Sequence, residues 1–211
     1  MGLPEIFISF QTAAVSAITR SARGVLAVAV KDATAGGATE AAYKSLAEVP
    51  EDKFSPENYR LLKLAFLAAP TKVWVLRVGE DAEKTYQALE RLRFDWLAAP
   101  GLEDARVMSF IKTLRNGGRG VKAVVANATA PDCEGIVNLC VSGLTLEDGA
   151  MEAKDYAVRV AALLAALPLT RSATYVNLPE VVGCDALAEP DEAVDAGKLI
   201  IVPGREGYRL G

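Results

Sequence analysis

The amino-acid sequence predicts an α/β fold: a mostly parallel sheet with helices on both faces, plus an N-terminal strand arm and a C-terminal β-hairpin. Three observations carry this. Apolar runs at residues 25–30, 72–78 and 121–126 read as strands buried on both sides. Helical segments of about a dozen residues alternate with such runs, the pattern that builds parallel sheets. Near the end, residues 199–202, 203–207 and 208–210 read as strand, turn and return strand.

Taken in order, Glu5, Ile6, Phe7, Ile8, Ser9 and Phe10 are rich in strand formers and lie outside any βα unit. Gly24 precedes the first buried strand, and residues 32–39 form a small-residue loop containing Gly36-Gly37. Residues 40–48 fit helix and strand equally. Ser55-Pro56-Glu57 starts a helix: serine caps, proline suits the first helical position, and glutamate complements the positive end. That helix runs to Ala68, before Pro70, and its apolar stretch 61–67 predicts deep burial. Gly79 stops the second strand. Residues 81–93 predict a helix with Ala82, Tyr86 and Leu89 on one face. Residues 94–98 follow as a short strand. Residues 103–115 predict a helix stopped by Asn116-Gly117-Gly118. Strands are expected at 136–141 and 144–146, around Gly143. The strongest helix is 153–167, with a wide stripe of Ala153, Tyr156, Ala157, Val160, Ala161 and Leu164. Residues 185–196 read as an acidic surface loop.

Composition excludes several functions. There are 23 Lys and Arg against 27 Asp and Glu, a net charge of −4, which argues against nucleic acid as a partner. Histidine is absent, so Ser-His-Asp and Cys-His catalysis within the chain are excluded, as are His-containing zinc and iron sites. Cys133, Cys140 and Cys184 form no C-x-x-C pair and read as reduced, buried small residues. No cofactor is expected. The longest nearly pure apolar run, 160–167, falls well short of the roughly 20 residues of a membrane helix, so no membrane partner is expected.

Each chemical constellation is incomplete. The glycines of Asn116-Gly117-Gly118-Arg119-Gly120 follow a helix and precede a strand, the reverse of a phosphate cradle. Asp32 to Gly37 does follow a strand, at the end of the sheet where ligands bind, but lacks the G-x-G-x-x-G spacing. Asp32 and Thr34 are therefore the positions for an alternative reading, a His-free α/β enzyme or nucleotide-binding domain. Ser142 lacks the first glycine of a nucleophile elbow and any histidine to serve it. The acidic residues 185–195 lack a calcium-loop pattern and read as a solvated face. Arg20, Arg23, Arg77 and Arg119 read as ion-pair or interface groups. The strand Ile6, Phe7, Ile8 and Phe10 is apolar at nearly every position. It pairs either with the chain's own sheet edge or with another chain.

Met1-Gly2-Leu3-Pro4-Glu5-Ile6, with Ala17-Ile18-Thr19-Arg20-Ser21-Ala22-Arg23-Gly24-Val25 after it, resembles the start of contractile phage tail sheath proteins. The similarity is to the short kind found in defective prophages and phage-tail-like particles. Phe54-Ser55-Pro56-Glu57-Asn58-Tyr59, Ala69-Pro70-Thr71-Lys72-Val73 and Asp195-Ala196-Gly197-Lys198-Leu199 match in the same order along nearly the whole chain.

The resemblance implies a structural subunit and no enzyme. Such subunits self-associate into hexameric rings, stack into a helical tube around a tail tube, and contract by rearranging their contacts. It implies a place in the virion tail, after synthesis in the bacterial cytoplasm. It assigns Ile6, Phe7, Ile8 and Phe10 to an arm that adds a strand to a neighbouring subunit. Sheath proteins continue past the hairpin into a C-terminal domain. The implied division is a lead-in at 1–24, an α/β sheath domain at 25–197, and a hairpin at 198–211 leading to a domain not represented here. The tail tube protein would be reached through that domain.

Overall fold

The computed structural model describes residues 24–129, 133–168, 170–205 and 207–211. The first half alternates as expected: β1 (Val25–Val30), β2 (Glu40–Tyr43), α1 (Pro56–Leu67), β3 (Lys72–Arg77), α2 (Ala82–Arg91), β4 (Trp96–Ala98), α3 (Asp104–Asn116) and β5 (Lys122–Ala126). The second half is more broken: β6 (Ile136–Cys140), β7 (Thr145–Leu146), β8 (Gly149–Ala150), α4 (Ala153–Ala166), β9 (Asn177–Leu178), β10 (Val181–Gly183), α5 (Pro190–Asp195), β11 (Lys198–Gly204) and β12 (Gly207–Leu210).

Nine strands form one sheet in the order β2-β3-β1-β4-β5-β6-β11-β12-β9. The six from β3 to β11 are parallel to their neighbours. The outer strands β2, β12 and β9 are antiparallel. A small antiparallel sheet, β10-β7-β8, lies apart from it.

Successive strand residues point to opposite faces, so two cores arise. Leu26, Val28, Val30, Val73, Val75 and Val124 meet α1 and α4 on one face. Ala27, Ala29, Leu76, Leu97, Ala123 and Val125 meet α2 and α3 on the other. This double burial is why β1 is apolar without alternation. The α1 start is as expected: the Ser55 hydroxyl accepts from the Asn58 amide at 3.2 Å, and Pro56 opens the helix. α4 packs on α1 and crosses β5, β4 and β1, and most of its residues are buried. No helix among the described residues is long and apolar enough to cross a membrane.

Three local expectations change. Residues 185–196 are not all loop, because Pro190 opens the short helix α5, which packs on β11. Residues 40–48 resolve into the edge strand β2 and a 3-10 turn. The edge strands β9 and β10 were not expected; at two and three residues they are too short to show a period. The C-terminal hairpin is present, with Gly204 paired to Gly207, and β11 continues the main sheet beside β6.

Among the described glycines, Gly101 makes the tightest approach to neighbouring backbone. Its amide donates to the Ala29 carbonyl at 2.9 Å, and a Cβ there would lie 2.7 Å from the Lys31 nitrogen. Gly101→Ala is expected to destabilise the fold by about 1–3 kcal/mol in urea unfolding. Gly79→Ala, with nothing within 4 Å of its added carbon, is expected to be nearly neutral.

Candidate functional site

β1 carries the chain to Asp32 at the carboxyl end of the sheet, beside the start of α1. The side chain has 0% exposure. Its Oδ1 accepts from the Thr34 amide at 2.8 Å. Its Oδ2 accepts from the Ser55 amide at 3.0 Å and from Asn58 Nδ2 at 2.8 Å. Arg77, at the end of β3, places Nη1 3.5 Å from Asp32 Oδ1 and donates to the Thr34 carbonyl at 2.7 Å. Its Nη2 donates to the Lys53 carbonyl, and the guanidinium covers the Phe54 ring at 4.8 Å. Gly37 lies flush against that guanidinium, where any Cβ would overlap it.

Burial pushes the Asp32 pKa up, but the donors Ser55, Thr34 and Asn58 outweigh it and lower it from 3.8 to about 2. The carboxylate is therefore charged, and internal donors occupy it. A base this weak is a poor proton acceptor near neutral pH. Asp32 and Thr34 do come together, as the enzyme or nucleotide-site alternative required. Their polar atoms fasten β1 to α1 and β3.

A second brace was missed in the sequence. Tyr156 and Arg159 project from α4 toward Glu180, in the turn between β9 and β10. Arg159 Nε donates to Glu180 Oε1 at 2.6 Å, and the Tyr156 hydroxyl donates to the same oxygen at 2.8 Å. Burial and the Glu180 charge push the Tyr156 phenol up, so it stays a donor. The Arg159 side chain is only 8% exposed. An arginine three residues after Tyr156, inside a strongly apolar helix, was the available signal. Arg60 on α1 supplies a third brace. It donates to Asp148 Oδ2 at 2.7 Å and to the Gly149 and Ala150 carbonyls at 2.9 Å each. Together they clamp the small sheet to the helices.

The remaining candidates are structural. Gly118 has a φ of +85°, as the stop after α3 requires. Arg119 folds back to donate to the Glu90 and Leu92 carbonyls at 2.8 and 2.6 Å. Ser142 is exposed, and its carbonyl accepts from the Asp185 amide at 2.9 Å. All three cysteines are half-buried. No cluster that could hold a metal ion occurs among the described residues. Ile6, Phe7, Ile8, Phe10, Arg20 and Arg23 lie outside the described residues.

No protein-family model matches the chain. Over 219 residues it is 32% identical to a tail sheath protein of Clostridium phage phiCD119, which covers 95% of this chain and 59% of that relative. The chain is a sequence relative of tail sheath proteins. It spans somewhat under two thirds of that relative's length. Its fold is also that of a sheath tail protein from Desulfitobacterium hafniense, with a TM-score of 0.77 at 14% identity over 98% of this chain and 74% of that one. The helical sheath of the anti-feeding prophage, in its contracted state, matches with a TM-score of 0.66 at 11% identity, over 100% of this chain and 67% of that one. The resemblance read from the sequence is borne out by the tail sheath protein that the chain matches in sequence.

The low Asp32 pKa sets a pH dependence. Its contribution is fully present above 3.8 and is lost as the pH falls through about 2. Asp32→Asn is expected to cost about 2 kcal/mol at neutral pH. It should also flatten the loss of stability between about pH 4 and 2. Urea unfolding at a series of pH values checks both.

Proposed function

We propose that the chain is part of a structural subunit of a contractile phage tail sheath, forming hexameric rings that stack around a tail tube. The observation that carries this reading is the sequence similarity to a tail sheath protein along nearly the whole chain. The fold supports it. Every brace described above ties one element to another inside the domain, so the domain suits movement as a rigid body. Contraction then needs only a change in the contacts between copies.

In this reading residues 25–197 are the sheath domain, residues 1–24 its lead-in, and residues 198–211 the hairpin toward the part that reaches the tail tube. Ile6, Phe7, Ile8 and Phe10 form an arm that pairs with a neighbouring subunit. The protein resides in the virion tail after synthesis in the bacterial cytoplasm, and it uses no cofactor.

Negative-stain microscopy of the complete reading frame, with whatever follows Gly211, is expected to show hollow cylinders or stacked rings. Dispersed small particles would sink the reading. Deleting residues 1–12 is expected to leave the thermal melt unchanged and to weaken assembly; unaltered assembly would remove the arm from it.

A further inference from the structure

The backbone of the acidic stretch 185–195 is held within the domain, through α5 on β11 and the Asp185 amide on the Ser142 carbonyl, but its charges are not paired there. It holds five carboxylates, Asp185, Glu189, Asp191, Glu192 and Asp195, and no lysine or arginine. None of the five forms an ion pair among the described residues. α5 presents Asp191, Glu192 and Asp195 on the surface together with Val194, which is 50% exposed.

A surface of opposite character lies where β4 and β5 begin. α2 and α3 end there, and helix carboxyl ends favour cations. A crevice of about 590 Å³ there is lined by Arg93, Trp96 and Lys122 together with Leu164 and Leu167, at the end of α4. Arg93 and Lys122 are exposed and form no ion pair among the described residues. The Lys122 ammonium sits 5.2 Å from the centre of the Trp96 ring. The carboxylate within the crevice, Asp95, is engaged by the Gly24 and Val25 amides at 2.9 and 3.0 Å.

We propose that the α5 segment of one copy docks in this crevice of the next copy. The carboxylates face Arg93 and Lys122, and Val194 meets the apolar wall. Within one copy α5 packs on β11, which β6 separates from β5, so the two surfaces meet between copies. The residues just before Gly24 are a poorer occupant by charge. From Ile6 to Arg23 the sequence has no carboxylate and carries Arg20 and Arg23. Because the two patches differ, the contact is head-to-tail and propagates into a ring or helix instead of closing as a dimer. The inference rests on the self-assembling reading above and supplies one of its contacts.

Sedimentation velocity of the purified chain tests it, with Arg93→Glu/Lys122→Glu and Asp191→Lys/Glu192→Lys as paired reversals at exposed positions. The wild-type chain is expected to self-associate at low salt and to dissociate as salt rises. Each reversal alone should weaken association by about tenfold or more. Mixing the two variants should restore it, since every junction again joins opposite charges. That recovery also shows that both variants fold. If either misfolds by circular dichroism, Arg93→Ala/Lys122→Ala and Asp191→Ala/Glu192→Ala should each weaken association in the same direction. Association indifferent to the substitutions, no recovery on mixing two folded reversal variants, or a wild-type chain that stays monomeric overturns the docking. Cylinders seen by microscopy of the complete reading frame would leave the sheath reading standing in each case.

Discussion

A parallel sheet buried on both faces constrains everything else in this domain. β1 lies between β3 and β4, and each of its residues from Leu26 to Val30 is buried. Neither face tolerates water, so each needs its own pair of helices: α1 and α4 on one, α2 and α3 on the other. Leu26, Val28 and Val30 fill the first core, while Ala27 and Ala29 lie in the second. The connections that carry helices from face to face then have to be held at the rims of the sheet.

Buried charge does that holding. Taking an ion out of water is costly unless its partners replace the lost solvent. Asp32 meets the condition with three hydrogen-bond donors and Arg77 beside them. Glu180 meets it at Oε1 alone, with Arg159 and Tyr156, while its Oε2 and Arg159 Nη1 are buried without a hydrogen-bond partner among the described residues. Each group joins segments far apart in the chain, and each uses its polar atoms inward. At the carboxyl end of β1, where α/β folds bind ligands, internal donors occupy the Asp32 carboxylate. The domain's unpaired surface charge is acidic on α5 and basic where β4 and β5 begin.

Much of the fold was legible in the sequence because its signals are local. Ser55-Pro56-Glu57 fixes a helix start through one hydroxyl and one constrained φ. Residues 25–30 announce a doubly buried strand by lacking polar residues, and Gly118 ends α3 by its own conformation. The sheath resemblance was legible for a different reason: short matches keep their order along the chain.

What only the tertiary structure decided is non-local. Asp32 and Arg77 are 45 positions apart, and Arg159 and Glu180 are 21 apart. No period or cap links such pairs, because their attraction exists only once the sheet and helices have brought them together and excluded water. The strands β9 and β10 belong to the same class: at two and three residues they have no pattern of their own and are defined by the strands they pair with. The sequence by itself determined the longer elements and the two-faced core, since propensity and burial act residue by residue. The structure decided which charges become braces and which remain on the surface, since that depends on distance and desolvation between residues the chain keeps far apart.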